Sequence, residues 1–185
     1  MERSADQALE ELLVLSCRDG SKEAFSALHQ RWHQKLLAHA GHLLGSSLRD
    51  RTEDVCQEAW LAIARGIDAL VEPSQFRAWA YSIVTRRVAD LRRRLGRDER
   101  ATDVLRKEHA NQVAAPSDSV AQQETLRLAL DTLSREDRAL LRLFYLDELS
   151  VAETAEALNI PVGTVKSRLF HARQRLRRAL QRSPT

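Results

Sequence analysis

Apolar residues recur at helical spacing along most of this 185-residue chain. Within residues 22–44 they fall three, four or seven positions apart, at Phe25, Leu28, Trp32, Leu36 and Leu43. No stretch alternates apolar and polar residues as a half-buried strand does. An aromatic content of only 5% beside a hydrophobic content of 43% also suits helices better than a β-sandwich. The sequence therefore predicts an all-α fold.

Capping residues indicate where the helices begin and end. Ser21 precedes the first periodic segment, a second helix runs from near Thr52 to near Gly66, and Ser74 is expected to cap a third that fades at Gly96. Three capping pairs and one proline introduce the later helices; they are Ser119 with Gln122, Ser134 with Asp137, Ser150 with Glu153, and Pro161. Periodicity is lost over residues 97–119. We therefore expect two small helical domains, residues 1–96 and 120–185, joined by a flexible linker at 97–119.

Positive charge is concentrated in two segments of a chain whose net charge is only +3. Residues 86–100 hold 7 basic and 3 acidic side chains, and residues 161–185 hold 7 basic and no acidic ones. Two such blocks on otherwise acidic segments indicate two separate contacts with a polyanion.

The chain has no feature of an exported or membrane protein. No apolar run approaches the length of about 20 residues that spans a bilayer, and the N-terminus is acidic where a signal peptide is basic. Cys17 and Cys56 form no disulfide framework and suit a reducing compartment. We expect a cytoplasmic protein without membrane insertion, in which both cysteines are buried or inert, although a redox switch stays open.

The C-terminal segment "SVAETAEALNIPVGTVKSRLFHARQRL" reads as a short capped helix, a three-residue turn and a longer basic helix. That is the pattern of a helix-turn-helix, whose second helix enters the DNA major groove. A buried stripe of Val165, Leu169, Ala172 and Leu176 leaves polar, aromatic and basic side chains outward, for base edges and phosphates. The candidate DNA contacts are Thr164, Lys166, Ser167, Arg168, Phe170, His171 and Arg173, with Arg175 as a further phosphate contact. The alternative is a solvated basic helix on a small bundle.

"LSVAETAEALNIPVGTVKSRLFHARQRLRRAL" resembles the promoter-reading C-terminal domain of bacterial sigma factors, closest to the small extracytoplasmic-function (ECF) class of the sigma-70 family. LuxR-type regulators have a similar core. "RTEDVCQEAWLAIAR" resembles the sigma helix that binds the clamp helices of RNA polymerase, with Asp54, Gln57 and Glu58 on one helical face and Trp60 turned towards the core. Taken alone, this would be an ordinary solvated face; its order and distance from the next motif favour the sigma interpretation.

That next motif, "FRAWAYSIVTRRVADLRRR", resembles the sigma helix that melts and reads the −10 promoter element. Its core stripe is predicted to be Phe76, Ala80, Val84, Val88 and Leu91. The resemblance implies −10 contacts from Trp79, Ser82, Thr85, Arg86, Ala89 and Arg93. Trp79 and Tyr81 could stack on bases, although core packing is the favoured role of each. Two departures indicate an unusual −10 sequence. Residues 70–76 read "LVEPSQF" where the family often has a Phe-Arg-Gly-Asp-like stretch, and Thr85-Arg86 replaces a frequent Arg-Asn.

The resemblance implies a sigma factor that directs core RNA polymerase to specific promoters, with the C-terminal helix on the −35 element. Such a protein is not an enzyme, needs no cofactor and is controlled by an anti-sigma factor. One alternative is a free-standing helix-turn-helix regulator that binds DNA as a dimer without polymerase. The other is a helical metalloenzyme.

Two histidine pairs carry the metalloenzyme alternative, His29 with His33 and His39 with His42. A zincin motif would have glutamate directly after the first histidine, where this chain has Gln30. No carboxylate is spaced to complete a di-metal site. We therefore expect no metal ligands.

Overall fold

The computed structural model describes residues 5–99 and 128–182. Its helices are α1 (Ala5–Arg18), α2 (Lys22–Leu44), α3 (Thr52–Gly66), α4 (Phe76–Glu99), α5 (Arg135–Tyr145), α6 (Val151–Leu158) and α7 (Val162–Arg182). These described ranges contain no strand, which confirms the all-α prediction. None of their helices is long and apolar enough to cross a membrane. The chain divides into two compact units, one containing α1–α4 with residues 156–159 and the other containing α5, α7 and the first part of α6.

The core of the first unit lies around Trp32 of α2. Its indole is fully buried, and its ring centroid is 5.7 Å from those of Phe76 and Tyr81, both edge to face. The indole Nε1 donates a 3.0 Å hydrogen bond to the carboxylate of Glu10, which fastens α1 to α2. The stripe predicted for α4 is buried at Phe76, Ala80, Val84 and Val88, and Leu91 is half-buried.

The predicted starts of α2 and α3 are confirmed. Ser21 accepts a 3.1 Å hydrogen bond from the backbone N–H of Ala24, as an N-cap does. A 3₁₀ segment, Ser46–Arg51, leads into α3 at Thr52. Two acidic residues then occupy the first turn of α3, where the helix dipole favours them.

Two expectations about α4 are wrong. Ser74 lies inside a 3₁₀ turn, Pro73–Gln75, because helical geometry already begins at the proline, whose fixed φ suits a first turn. Gly96 does not end the helix, which continues to Glu99. A glycine inside a helix costs only about 1 kcal/mol, so it does not stop a helix by itself.

The end of α3 lies close against α4. A Cβ added at Gly66 would lie 3.1 Å from Cζ2 of Trp79, so a larger residue there would force the indole to move. Helices α3 and α4 are therefore packed closely at this point. The sequence pattern does not reveal this contact.

Helix α6 is capped as predicted. The backbone N–H of Ser150 donates to the Glu153 carboxylate at 2.8 Å, and the N–H of Glu153 donates to the Ser150 hydroxyl at 3.2 Å. Ser134 caps α5 by accepting from the N–H of Asp137 at 3.1 Å. The core brings α5 and α7 together; its buried residues include Leu140, Leu143, Val165, Leu169 and Ala172.

Part of the predicted linker lies outside the described residues. Residues 97–99 belong to α4, and residues 128–131 are helical. The structure does not describe residues 100–127, which include the predicted capping pair Ser119 and Gln122.

Candidate nucleic-acid and protein interfaces

Helix α7 has one buried and one exposed side. Val165, Leu169 and Ala172 are buried as their spacing predicted, and Leu176 is half-buried. The predicted DNA contacts lie on the remaining surface. Thr164 and Arg168 are half-buried there, and the exposed members are Lys166, Ser167, Phe170, His171 and Arg173. The helix thus presents a polar, aromatic and basic face whose opposite side is anchored in the core.

The cations of α7 are not equivalent. Nη1 of Arg175 lies 3.5 Å from Oδ2 of Asp137 on α5, and the Asp137 side chain is only 15% exposed. Nε of Arg173 donates to the carbonyl of Leu169 at 3.2 Å, a neutral acceptor that does not compensate its charge. Lys166 is exposed and has no carboxylate partner within the described part of the chain. A phosphate therefore competes with Asp137 for Arg175, but not for Lys166.

Helix α3 presents an exposed polar face. Asp54, Gln57 and Glu58 are all exposed and, at spacings of three and four residues, lie on one side of the helix. Trp60 is buried on the opposite side, 5.9 Å from Phe25 and 4.5 Å from His29 between ring centroids. Because Trp60 anchors α3 from behind, substitutions on the exposed face need not disturb the core.

Helix α4 places its predicted −10 residues at different depths. Arg86, Ala89 and Arg93 are exposed. Ser82 is only 1% exposed. Trp79 and Thr85 are half-buried, Trp79 against Phe76 and Thr85 with its hydroxyl 3.0 Å from Nε2 of His39. The structure therefore brings two arginines and one alanine to the surface of α4 and withdraws Ser82 from it.

The sequence matches two family descriptions, "Sigma-70 region 2" at residues 28–98 and "Sigma-70, region 4" at residues 123–176. The ECF RNA polymerase sigma-E factor of Haemophilus influenzae is 30% identical over 96% of this chain and 98% of its own length. The chain belongs to the ECF sigma factors. SigW of Bacillus subtilis, also an ECF sigma factor, is 30% identical over 91% of this chain and 95% of its own.

Two solved structures share the fold of this sigma factor. One is the sigma factor RpoE in complex with the anti-sigma factor NepR from Bartonella quintana, with 26% identity, a TM-score of 0.67, and coverage of 86% of this chain and 98% of that chain. The other is CnrH in complex with the cytosolic domain of CnrY, with 26% identity, a TM-score of 0.61, and coverage of 95% and 99%. As an ECF sigma factor, the chain binds core RNA polymerase and promoter DNA and directs transcription initiation.

Sequence reasoning missed one residue on the exposed face of α3. Leu61 is 52% exposed and lies three, four and seven residues after Glu58, Gln57 and Asp54. That spacing places it at the centre of the same face. The signal was present in the sequence, because Leu61 falls outside the apolar stripe that ends at Ile63.

The segment before α4 combines a buried and an exposed apolar residue. Leu70 is buried, whereas Val71 is 79% exposed and Glu72 beside it is exposed too. The sigma factor therefore carries an apolar side chain at the surface where the family often has a Phe-Arg-Gly-Asp-like stretch.

The histidines and cysteines do not assemble into a metal site within the described residues. His29 and His33 stack with ring centroids 4.8 Å apart, and Nδ1 of His33 lies 3.8 Å from Sγ of Cys56. Burial raises the pKa of Cys56 to about 11, so its thiol stays protonated at neutral pH. Burial also raises the pKa of Cys17. Protonated thiols are weak nucleophiles, so neither cysteine is activated.

The second histidine pair is split between the core and the surface. His39 is buried beside the ring of Tyr81, at a centroid distance of 4.9 Å. His42 is exposed, and its Nδ1 lies 2.6 Å from the carbonyl of Ala38 on its own helix. The two rings therefore do not face a common ligand.

Proposed function

We propose that this sigma factor uses three surfaces, α7 for the −35 element, α4 for the −10 element and the exposed face of α3 for core polymerase. One observation carries the proposal. The same chain exposes an acid-free basic helix and, on another helix, an acidic face backed by a buried tryptophan. A free-standing regulator needs only the first surface.

The −35 proposal rests on the surface of α7. A major groove admits one α-helix, and Ser167 and Phe170 lie on its exposed side, where they reach base edges. The flanking cations neutralise phosphates and position the helix without reading sequence. The full set of proposed contacts is Thr164, Lys166, Ser167, Arg168, Phe170, His171 and Arg173.

The −10 proposal rests on α4. Arg86 and Arg93 are exposed on α4, where Arg86 supplies positive charge for opened DNA, and half-buried Trp79 keeps part of its indole available for stacking on a base. The proposed group consists of Trp79, Ser82, Thr85, Arg86, Ala89 and Arg93. Val71 is our candidate for a base contact from the preceding loop.

The docking proposal joins Asp54, Gln57 and Glu58 to Leu61. Acidic groups steer a basic partner surface and orient it, while an apolar side chain at the centre supplies burial. Polymerase then tethers the two DNA contacts, so that each gains effective concentration from the other. The sigma factor alone should therefore bind DNA weakly.

An anti-sigma factor is proposed as regulator, supported by the complex of the similar sigma factor RpoE with the anti-sigma factor NepR. We keep the domain bounds 1–96 and 120–185 with the linker 97–119. We propose that the protein works in the cytoplasm beside polymerase and performs no catalysis of its own.

The test is co-purification with bacterial core RNA polymerase. Asp54→Arg/Glu58→Arg should lose binding, because the two substitutions together change the charge of the docking face by +4. The matched control, Asp68→Arg/Glu72→Arg, makes the same charge change at exposed positions outside α3 and should bind like wild type. Equal loss in both variants would show a general charge effect and contradict the docking assignment. A folded wild type that binds no polymerase but binds promoter DNA tightly would favour the free-standing regulator.

A further inference from the structure

Arg86 on α4 is held in place by a neighbour on its own helix. Its Nη2 donates a 2.6 Å hydrogen bond to Oγ of Ser82, and its Nε donates a 3.2 Å hydrogen bond to the Ser82 carbonyl. The Ser82 hydroxyl in turn donates to the carbonyl of Trp79 at 2.7 Å. Since the single hydroxyl proton points at Trp79, a lone pair of Oγ is left facing Arg86. The polarity of this chain of hydrogen bonds is therefore determined.

Ser82 itself is poorly placed to contact DNA. Its residue is only 1% exposed, and its one donor is engaged. Arg86 is exposed and uses two of the five N–H groups of a guanidinium. Both N–H groups of Nη1 make no hydrogen bond within the described residues. The planar group is thus fixed along one edge and open along the other.

Arg93, one further cation on the helix, is held differently. It is paired with the carboxylate of Asp90, and the hydrogen bond from Arg93 lowers the pKa of that carboxyl, so the pair stays ionised. A carboxylate partner cancels much of the attraction between an arginine and nucleic acid. Ser82 orients Arg86 through neutral oxygens and leaves its full charge available. This contrast distinguishes Arg86 from Arg93 as an arginine whose orientation and charge are both available to DNA.

We propose that Ser82 is the positioning residue of Arg86 and fixes the donor geometry with which Arg86 makes its proposed −10 contact. The ligand class is a hydrogen-bond acceptor on a base edge, a carbonyl oxygen or ring nitrogen. Phosphate contacts position a protein without reading sequence, whereas base readout needs donors aimed at the edge of one base. The inference rests on the proposed −10 role of α4 and replaces a direct DNA contact of Ser82 by an indirect one.

The experiment measures promoter opening by full-length sigma factor with core polymerase, on promoters substituted at each −10 position in turn. Arg86→Ala should reduce discrimination by about tenfold at one or two positions, the loss expected for a removed bidentate base contact. Ser82→Ala should reduce it at the same positions by about threefold to tenfold, because one oriented hydrogen bond is lost. The double variant should match Arg86→Ala alone, since both changes remove one interaction.

Conservative variants separate orientation from charge and from folding. Arg86→Lys keeps the charge but lacks the fork, so it should behave like Arg86→Ala in discrimination. Ser82→Thr keeps the hydroxyl and should retain discrimination. Its thermal midpoint is measured beside that of wild type to show that the variant is folded. Arg94→Ala, an exposed arginine on the same helix, should weaken opening evenly over all −10 sequences.

Several results would overturn the inference. Wild-type discrimination by Arg86→Lys would reduce Arg86 to a phosphate contact. Ser82→Ala acting at other positions than Arg86→Ala, or equally at all of them, would remove Ser82 as positioning residue. If Arg86→Ala, Arg93→Ala and Arg94→Ala all left opening unchanged, the proposed −10 role of α4 would itself fail. If Arg86→Ala changed the −10 preference and Ser82→Ala did not, the −10 role of α4 would stand and only the positioning role of Ser82 would be refuted.

Discussion

Leu61→Ala should weaken binding of this sigma factor to core polymerase by about fivefold. Complete burial of a leucine side chain contributes about 1.5–3 kcal/mol relative to full exposure. Leu61 is 52% exposed in the free chain, so docking can bury at most about half of the total surface of this residue. Alanine retains a small part of the contribution. The expected loss is therefore about 1 kcal/mol, or about fivefold in Kd.

The assay is an equilibrium titration of core polymerase with labelled sigma factor. Leu12→Ala is the matched control, because Leu12 on α1 is the same residue type and is 59% exposed in the same unit. It should bind like wild type. An unchanged Kd for Leu61→Ala, or an equal loss with Leu12→Ala, would refute the placement of Leu61 at the centre of the docking face.

Three other predictions concern electrostatics and capping. Burial raises the pKa of Glu10 above its ordinary value, against the opposing effect of nearby cations. The contribution of Glu10 to the free energy of unfolding is therefore complete below the unfolded-state pKa and is lost as pH rises through the folded-state pKa. Glu10→Gln should flatten that decline in urea unfolding, and an unaltered pH profile would contradict it. With holoenzyme on duplex −35 DNA, Lys166→Ala should lower the slope of log affinity against log salt by about 0.9. Arg175→Ala should lower it less because Asp137 already pairs with Arg175, and equal slopes would dismiss that pair. Ser150→Ala should destabilise the second unit by about 1 kcal/mol through loss of the α6 cap, as measured by thermal unfolding, and no change in midpoint would show that the cap is dispensable.

Local sequence signals predicted most helix starts correctly. Ser21 and Ser150 bind the backbone N–H groups three residues on, as their types and positions indicated. The stripe at Val165, Leu169 and Ala172 is buried because helical periodicity determines which residues share a face. These features depend on contacts within a few residues, so the sequence alone reveals them.

Helix α1 shows where that reasoning stops. Its leucines at positions 9, 12 and 15 are exposed, whereas Glu10, Val14 and Cys17 are buried. An argument from apolar residues alone would have placed the leucines inside and Glu10 outside. Glu10 is buried where it accepts a hydrogen bond from the indole N–H of Trp32, a residue 22 positions further along the chain. Such a partner is brought into contact only by tertiary packing.

The functional surfaces divide in the same way. The sequence alone predicted helices and a basic helix-turn-helix, because helix periodicity, capping and charge patterning are local properties of the chain. The sigma function was implied by the resemblance of its motifs to that family. Only the tertiary structure decided that Asp137 compensates Arg175 and that Ser82 is withdrawn behind Arg86. Side-chain depth and the choice among neighbouring partners depend on how the helices pack, and residue spacing does not specify that packing.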